Sequence, residues 1–280
     1  MPPFNPPLDA HEVLTAFPGR YSPVHILKTG GQGAVFRATR IESSQDVALK
    51  VYSASHVEER TEREVDALRR LRGDHIVTLL ESGNCIIRGT PCVWLETEFI
   101  DGEPLSTAIH RGPLEPAHVA AIVCDISAAI ESMWALRVVH RDIKPDNIMI
   151  RPDGRAVLID LGIARHVDLD SLTTVGMAWG TQGYLSPEQC RAVHSLSCKS
   201  DVFGLVVVAQ EALVGRHPTA RHQPTLISGG PSTVSLRPGT AAQLTAIIDR
   251  MVHRDPLRRP LPAEIISALR DFQSDSTSNE

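Results

Sequence analysis

The chain has 280 residues, 42% of them hydrophobic, and its 28 Lys and Arg against 33 Asp and Glu leave a formal charge of -5. That length suits one large two-lobed domain or two modest ones, and the apolar share excludes a disordered or fibrous chain. No basic surplus exists to neutralise a phosphate backbone, so a nucleic-acid partner is not expected.

Residues 1–20 are proline-rich and read as a partly ordered lead-in. The start lacks a basic segment followed by an apolar run, so no secretion signal is read there. Tyr21 to Val51 is strand-like, with Gly30, Gly31 and Gly33 clustered between strands. Residues 56–72 read as a charged helix with Val57, Val65, Leu68 and Leu71 on one face. Ile76 to Leu80 and Val93 to Ile100 complete a small sheet. Asp101-Gly102 marks a break, after which the chain turns mostly helical. Pro116 to Leu136 is a long apolar-periodic helix. Asn147 to Ile150 and Ala156 to Ile159 are short strands joined by the turn Pro152-Asp153-Gly154-Arg155. Residues 163–187 lack periodicity and read as a long functional loop. Helices are expected at Val202–Val214, Leu244–Val252 and Ala263–Phe272, followed by a polar tail at 273–280. No run of about 18 uninterrupted apolar residues occurs, so no membrane span is expected. Cys85, Cys92, Cys124, Cys190 and Cys198 are odd in number and form no C-x-x-C pair. Free thiols in a reducing, cytoplasmic setting follow. A β-rich front and a helical back point to an α+β protein with two lobes and a cleft.

Several residues carry chemistry. In Gly30-Gly31-Gln32-Gly33-Ala34-Val35 the glycines let backbone N–H groups approach phosphates, although a glycine-rich hairpin alone is more often structural. Lys50 ends an apolar strand and Glu64 lies on the next helix. Such a lysine can hold α- and β-phosphates while the carboxylate fixes it, and each alone could be a solvated charge. In His140 to Asn147, Asp142 can accept a substrate hydroxyl proton, Lys144 can neutralise a transferred phosphoryl group and Asn147 can ligate a metal. The hairpin after Asn147 returns Asp160 of Asp160-Leu161-Gly162 to the same edge, where both can ligate Mg2+ through oxygen.

Taken together, Ala48 with Lys50, Glu64, His140 to Asn147, Asp160 to Gly162 and Ser186-Pro187-Glu188 resemble the protein-kinase family in order and spacing, from about Tyr21 to about Phe272. The resemblance implies a two-lobed protein-kinase-like fold over 21–272, with an N-lobe at about 21–100 and a C-lobe at about 101–272. It implies ATP and Mg2+ as cofactors, with Mn2+ an acceptable substitute. Leu27, Gly30, Gly31, Gln32 and Gly33 would cover the nucleotide, Val35, Ala48 and Met149 would sandwich its base, and Thr97 would gate the pocket. Glu98 to Ile100 would form the hinge. Asp201 would brace the catalytic loop and Arg259 would pair with Glu188. Lys144 before Pro145, and Gly180-Thr181 ahead of Tyr184, are similar to serine/threonine kinases, in which the threonine bridges Asp142 and Lys144. The run Gly180 to Gln189 resembles bacterial members. Protein substrates bearing Ser or Thr are implied. Arg141 beside Asp142 implies a phosphate on the following loop, for which Thr173 and Thr174 are candidates, with self-association for autophosphorylation in trans.

The pattern departs in three places: Lys28 stands for the first loop glycine, Leu161 for phenylalanine, and Thr219 for phenylalanine in Gly215-Arg216-His217-Pro218-Thr219. Two alternatives share the core, a catalytically silent scaffold and a small-molecule phosphotransferase. The second class lacks Ser-Pro-Glu and the paired arginine.

Overall fold

The computed structural model describes residues 7–30, 33–53, 68–160, 181–191, 196–222, 237 and 240–277. They form two compact units. Described residues up to 71 together with 77–100 make the first, and 72–76 with the described residues from 101 onward make the second.

Within the lead-in expected over residues 1–20, residues 10–16 form a helix. Helix α1 (Ala10–Ala16) starts at a reciprocal cap: Asp9 accepts from the Glu12 N–H, and Glu12 accepts from the Asp9 N–H. The Asp-x-x-Glu spacing was the available signal. A five-stranded antiparallel sheet follows, of β1 (Tyr21–Gly30), β2 (Gly33–Arg40), β3 (Asp46–Ser53), β4 (Leu79–Ile87) and β5 (Thr90–Glu98). Its order is β1-β2-β3-β5-β4. Strand alternation sends Ala34, Phe36 and Ala38 of β2 and Val47, Leu49 and Val51 of β3 to one buried face. Val13 and Phe17 join that face, and Phe17 meets the rings of Tyr21 and Trp94 edge-on at 5.7 and 5.4 Å. Each such fully buried apolar side chain contributes on the order of 1.5–3 kcal/mol. Of the helix expected at 56–72, Leu68 to Arg70 are helical, and 54–67 lie outside the described residues.

The expected apolar strand at Ile76 to Leu80 divides between the units. Ile76 bridges Leu158 in parallel, and the Leu158 N–H donates to the His75 carbonyl, so 72–76 belong to the second unit. The second unit holds a small sheet, β6 (Glu103–Pro104), β7 (Ile148–Ile150) and β8 (Ala156–Leu158). Its helices are α2 (Leu105–His110), α3 (Pro116–Ala135), α4 (Pro187–Cys190), α5 (Cys198–Val214), α6 (Ala242–Met251) and α7 (Pro262–Thr277). The 3-10 turn Pro145–Asn147 leads into β7.

Helix α3 begins with Pro at its first turn and buries Val119, Val123, Ile126, Ile130 and Met133 on one stripe. By length and composition alone it could cross a membrane, but half of it is buried inside this unit, where it packs on α5, α7 and β8. Helix α5 is buried nearly all round, including the polar Asp201 and Gln210. It stops at Gly215, whose left-handed backbone (φ 73°) closes the last turn. The long loop expected to run to 187 gives way at Ser186, the N-cap of α4. The expected polar tail is helical as far as Thr277.

Candidate active site

In the first unit, the sheet face opposite α1 carries Val35, Ala48, Lys50 and Thr97. Val35 pairs with Lys50 across β2 and β3, and Ala48 with Thr97 across β3 and β5. All four are half-buried, and on β2 and β3 they alternate with fully buried residues. Leu27 falls at the register break of β1 and is exposed. Small apolar side chains beside a lysine suit a flat base and its phosphates, so this face fits a nucleotide. Gly30 pairs with Gly33 at the hairpin, and Gly31 and Gln32 lie outside the described residues. Gly33 has a structural reason of its own, because a Cβ there would sit 2.1 Å from the Val51 carbonyl oxygen. Glu98 is locked locally: its carboxylate accepts from the Thr78 N–H at 2.8 Å and its own N–H donates to the Thr78 carbonyl. Ile100 is buried. Glu64 lies outside the described residues.

The second unit gathers a dense polar network. Asp142 Oδ1 accepts from the Thr181 hydroxyl at 2.9 Å and the Thr181 N–H at 3.2 Å. Lys144 Nζ lies 2.9 Å from Asp142 Oδ2 and donates to the Thr181 hydroxyl at 2.7 Å. Thr181 thus bridges the aspartate and the lysine. Asn147 Nδ2 donates to the Asp142 carbonyl and to Oδ2 at 2.9 and 3.2 Å. Asn147 uses its amide nitrogen on Asp142, so its amide oxygen is the atom suited to a hard cation. With the Asp160 carboxylate at the end of the hairpin, the two supply the oxygen donors that a divalent ion such as Mg2+ prefers. Asp160 holds a left-handed backbone, φ 61°. Met149 sits on β7 opposite Val157.

The loop bearing Asp142 is fixed by backbone bonds. Asp201 accepts the N–H groups of His140 and Arg141, each at 2.8 Å. Gln189 donates to the Arg141 carbonyl at 2.8 Å. These three bonds stabilise Arg141 at φ 69°, a region costly for a side-chain-bearing residue. Burial pushes the Asp201 carboxyl up, against His140 and the N–H donors that pull it down. His140 itself contacts the Ile159 carbonyl through Nε2 and the Asp142 N–H through Nδ1, joining the loop to the hairpin.

Glu188 and Arg259 form a bidentate pair at 2.7 and 2.9 Å. The remaining Arg259 donors reach the carbonyls of His253, Lys199 and Arg254, and the guanidinium lies over Phe203. Burial works against the Glu188 charge, but the Arg259 bonds and charge and the Ser200 hydroxyl outweigh it and hold the carboxyl below its ordinary value. Sequence reasoning missed Gln189, whose side chain also caps Ser186, although Ser-x-x-Gln is a cap signature. It also missed the buried bond from the Tyr184 hydroxyl to Glu211, 27 residues away. Thr173, Thr174, Leu161, Gly162 and Gly180 lie outside the described residues.

A sheet unit with a lysine on its half-buried face, and a helical unit with an aspartate–lysine–threonine bridge, define a two-lobed α+β fold that carries the groups phosphate chemistry uses. The family model of the protein kinase domain matches residues 21–268, and the chain belongs to that family. Use of ATP with a divalent metal is general to it. The chain is 33% identical over 261 residues to the serine/threonine-protein kinase PknD of Mycobacterium tuberculosis, covering 88% of this chain and 38% of that protein. It is 32% identical over 250 residues to PknH of Mycobacterium bovis, covering 85% and 41%. PknA of Mycobacterium tuberculosis is 34% identical over 209 residues, covering 72% and 48%. The chain therefore spans less than half the length of these serine/threonine-protein kinases.

Proposed function

We propose that this chain is an ATP-dependent serine/threonine protein kinase that transfers the γ-phosphoryl group of ATP to protein hydroxyls. The observation that carries the reading is the Thr181 hydroxyl, which donates to Asp142 and accepts from Lys144. Asp142 orients the substrate hydroxyl and takes its proton as the oxygen attacks phosphorus. Among the described residues Lys144 uses two of its three ammonium protons, on Asp142 and Thr181, and the third is offered to an oxygen of the transferred group. Lys50 holds the α- and β-phosphates, with Glu64 as its fixing partner. Asn147 and Asp160 would hold Mg2+, or Mn2+ in its place, which neutralises phosphate charge when bound. Val35 and Ala48 of the first unit lie against the base, and the Glu98–Ile100 backbone bonds its edge.

Transfer of radiolabel from ATP to a generic protein substrate tests this. Asp142→Asn is expected to lower the rate by about 10²-fold or more, the contribution of a positioned base. Label transfer retained in the variant would sink the mechanism. The reading extends to autophosphorylation in trans at Thr173 or Thr174, because Arg141 beside Asp142 is held on both sides by Asp201 and Gln189. Mass spectrometry after incubation with ATP and Mg2+ should find phosphate on one of them. An active preparation with both unmodified would refute the extension.

A further inference from the structure

The turn after α5 carries His217, which none of the roles above uses. Its half-buried imidazole is bonded at both nitrogens. Nε2 lies 3.0 Å from the Gly183 carbonyl oxygen, which only accepts, so Nε2 carries the proton and donates. Nδ1 lies 2.8 Å from the Arg221 N–H and 3.3 Å from the Thr219 N–H, which only donate, so Nδ1 is bare. The partners therefore select one tautomer and the neutral charge. The ring meets Tyr184 edge-on, with centroids 5.2 Å apart. Gly183 has φ 99°, and a Cβ there would lie 2.9 Å from Nε2 and 3.1 Å from Arg221. The close approach thus needs both the glycine's backbone and its missing side chain. The held carbonyl belongs to the turn closed by the Tyr184 N–H on the Thr181 carbonyl at 3.1 Å, and Thr181 is the bridge to Asp142 and Lys144.

We propose that His217, as the neutral Nε2–H imidazole, is a positioning residue that locks the Thr181–Tyr184 turn for a polypeptide substrate, and that its protonation releases the turn. The proposal rests on the protein-kinase reading of the site. A proton on Nδ1 would face two backbone N–H groups, so both of those bonds would be lost and the ring would turn out of the seat that aims its Nε2–H at the Gly183 carbonyl. Burial already holds the imidazole below the ordinary histidine range. The Gly183 bond opposes that shift, and the Arg221 charge adds to it. The other groups around the ring are Tyr184 and the Glu211 carboxyl bonded to its hydroxyl, which burial pushes up, with Asp146 and His110 acting on Glu211.

Two variants of the purified chain separate positioning from mere packing. His217→Phe keeps a ring against Tyr184 and loses both nitrogens. His217→Gln keeps a donor for Gly183. The Phe variant should raise the peptide KM about tenfold, the loss of one or two hydrogen bonds, with kcat and the KM for ATP within about twofold. The Gln variant should recover most of that loss. Wild-type kcat/KM for peptide should show an acid limb inflecting below the ordinary histidine value of about 6.5, and the Gln variant should lack it. A peptide KM unchanged in the Phe variant, or an acid limb unchanged in the Gln variant, would overturn the proposal. Nitrogen NMR of the imidazole gives a readout that does not need turnover. The Nε2–H tautomer is expected, with the Tyr184 amide shifting as His217 titrates, and an Nδ1–H tautomer or an indifferent Tyr184 amide would overturn the proposal. A wild-type chain that binds ATP and phosphorylates no peptide would break the kinase reading instead, and the spectrum would still decide the role of His217.

Discussion

Two ion pairs of the helical unit have nearly equal lengths and opposite characters. Arg259 lies 2.7 Å from Glu188, and Lys144 lies 2.9 Å from Asp142. The Arg259 side chain is fully buried, and all five of its N–H groups have protein acceptors. It has nothing left to offer a ligand. The Lys144 side chain is 15% exposed and has two protein partners among the described residues for three protons. A saturated guanidinium holds shape, whereas the remaining Lys144 proton is the one that the proposed transfer would use.

That contrast makes predictions that can break it. The largest effect is expected at the unsaturated pair, where Lys144→Met should lower phosphotransfer by about 10²-fold, as for loss of a charge-stabilising donor, while the melting temperature stays within a few degrees. A large fall in melting temperature would show that Lys144 is also structural. Arg259→Ala should do the reverse. Removing it leaves Glu188 buried without its partner, a cost of about 3–5 kcal/mol that thermal melting would read as a drop of roughly 6 °C or more. An unchanged melting temperature would refute the saturated-pair account. Thr181→Val should cost about tenfold in rate, since it removes a hydroxyl bonded to two charged groups, and Thr181→Ser should restore most of it.

The smallest effect concerns pH. The folded Glu188 carboxyl lies below its ordinary value, so its contribution is fully present above the unfolded value and is lost as pH falls through the folded one. Glu188→Gln should therefore melt lower than wild type at pH 7. The gap should close as pH falls below about 4.3, the ordinary glutamate value. A gap that persists or widens in acid would contradict the assignment of the charge to Glu188.

Legibility in the sequence followed from distance along the chain and from what one residue type can reveal alone. Asp142, Lys144 and Asn147 stand within six residues, and a 3-10 turn at Pro145–Asn147 brings them together, so spacing was enough to see them. Strands β2 and β3 and the long helix α3 were readable because their apolar periods match their burial, whereas β4, whose burial does not alternate, was read only at its start, as Ile76 to Leu80. Helix α1 was not read, because its seven residues follow a proline-rich start and its cap, not its period, is what announces it. The bonds of Glu96 to Arg20, Arg40 and Tyr21 join residues 56 to 76 apart, and no local pattern marks Glu96 as buried with no exposure. His217 carried no readable signal, because its hydrogen-bond partners are backbone groups, which sequence does not display. Gly33 was legible as a glycine but not for its reason, since the Val51 carbonyl that excludes a side chain comes from the neighbouring strand.

The proposed roles put Asp142 in chemistry and Arg259 in shape. The most direct measurement is phosphotransfer per mole of folded protein for Asp142→Asn against wild type. A loss of about 10²-fold or more with an unchanged melting curve is expected. Transfer at the wild-type rate, or a loss explained entirely by unfolding, would contradict those roles.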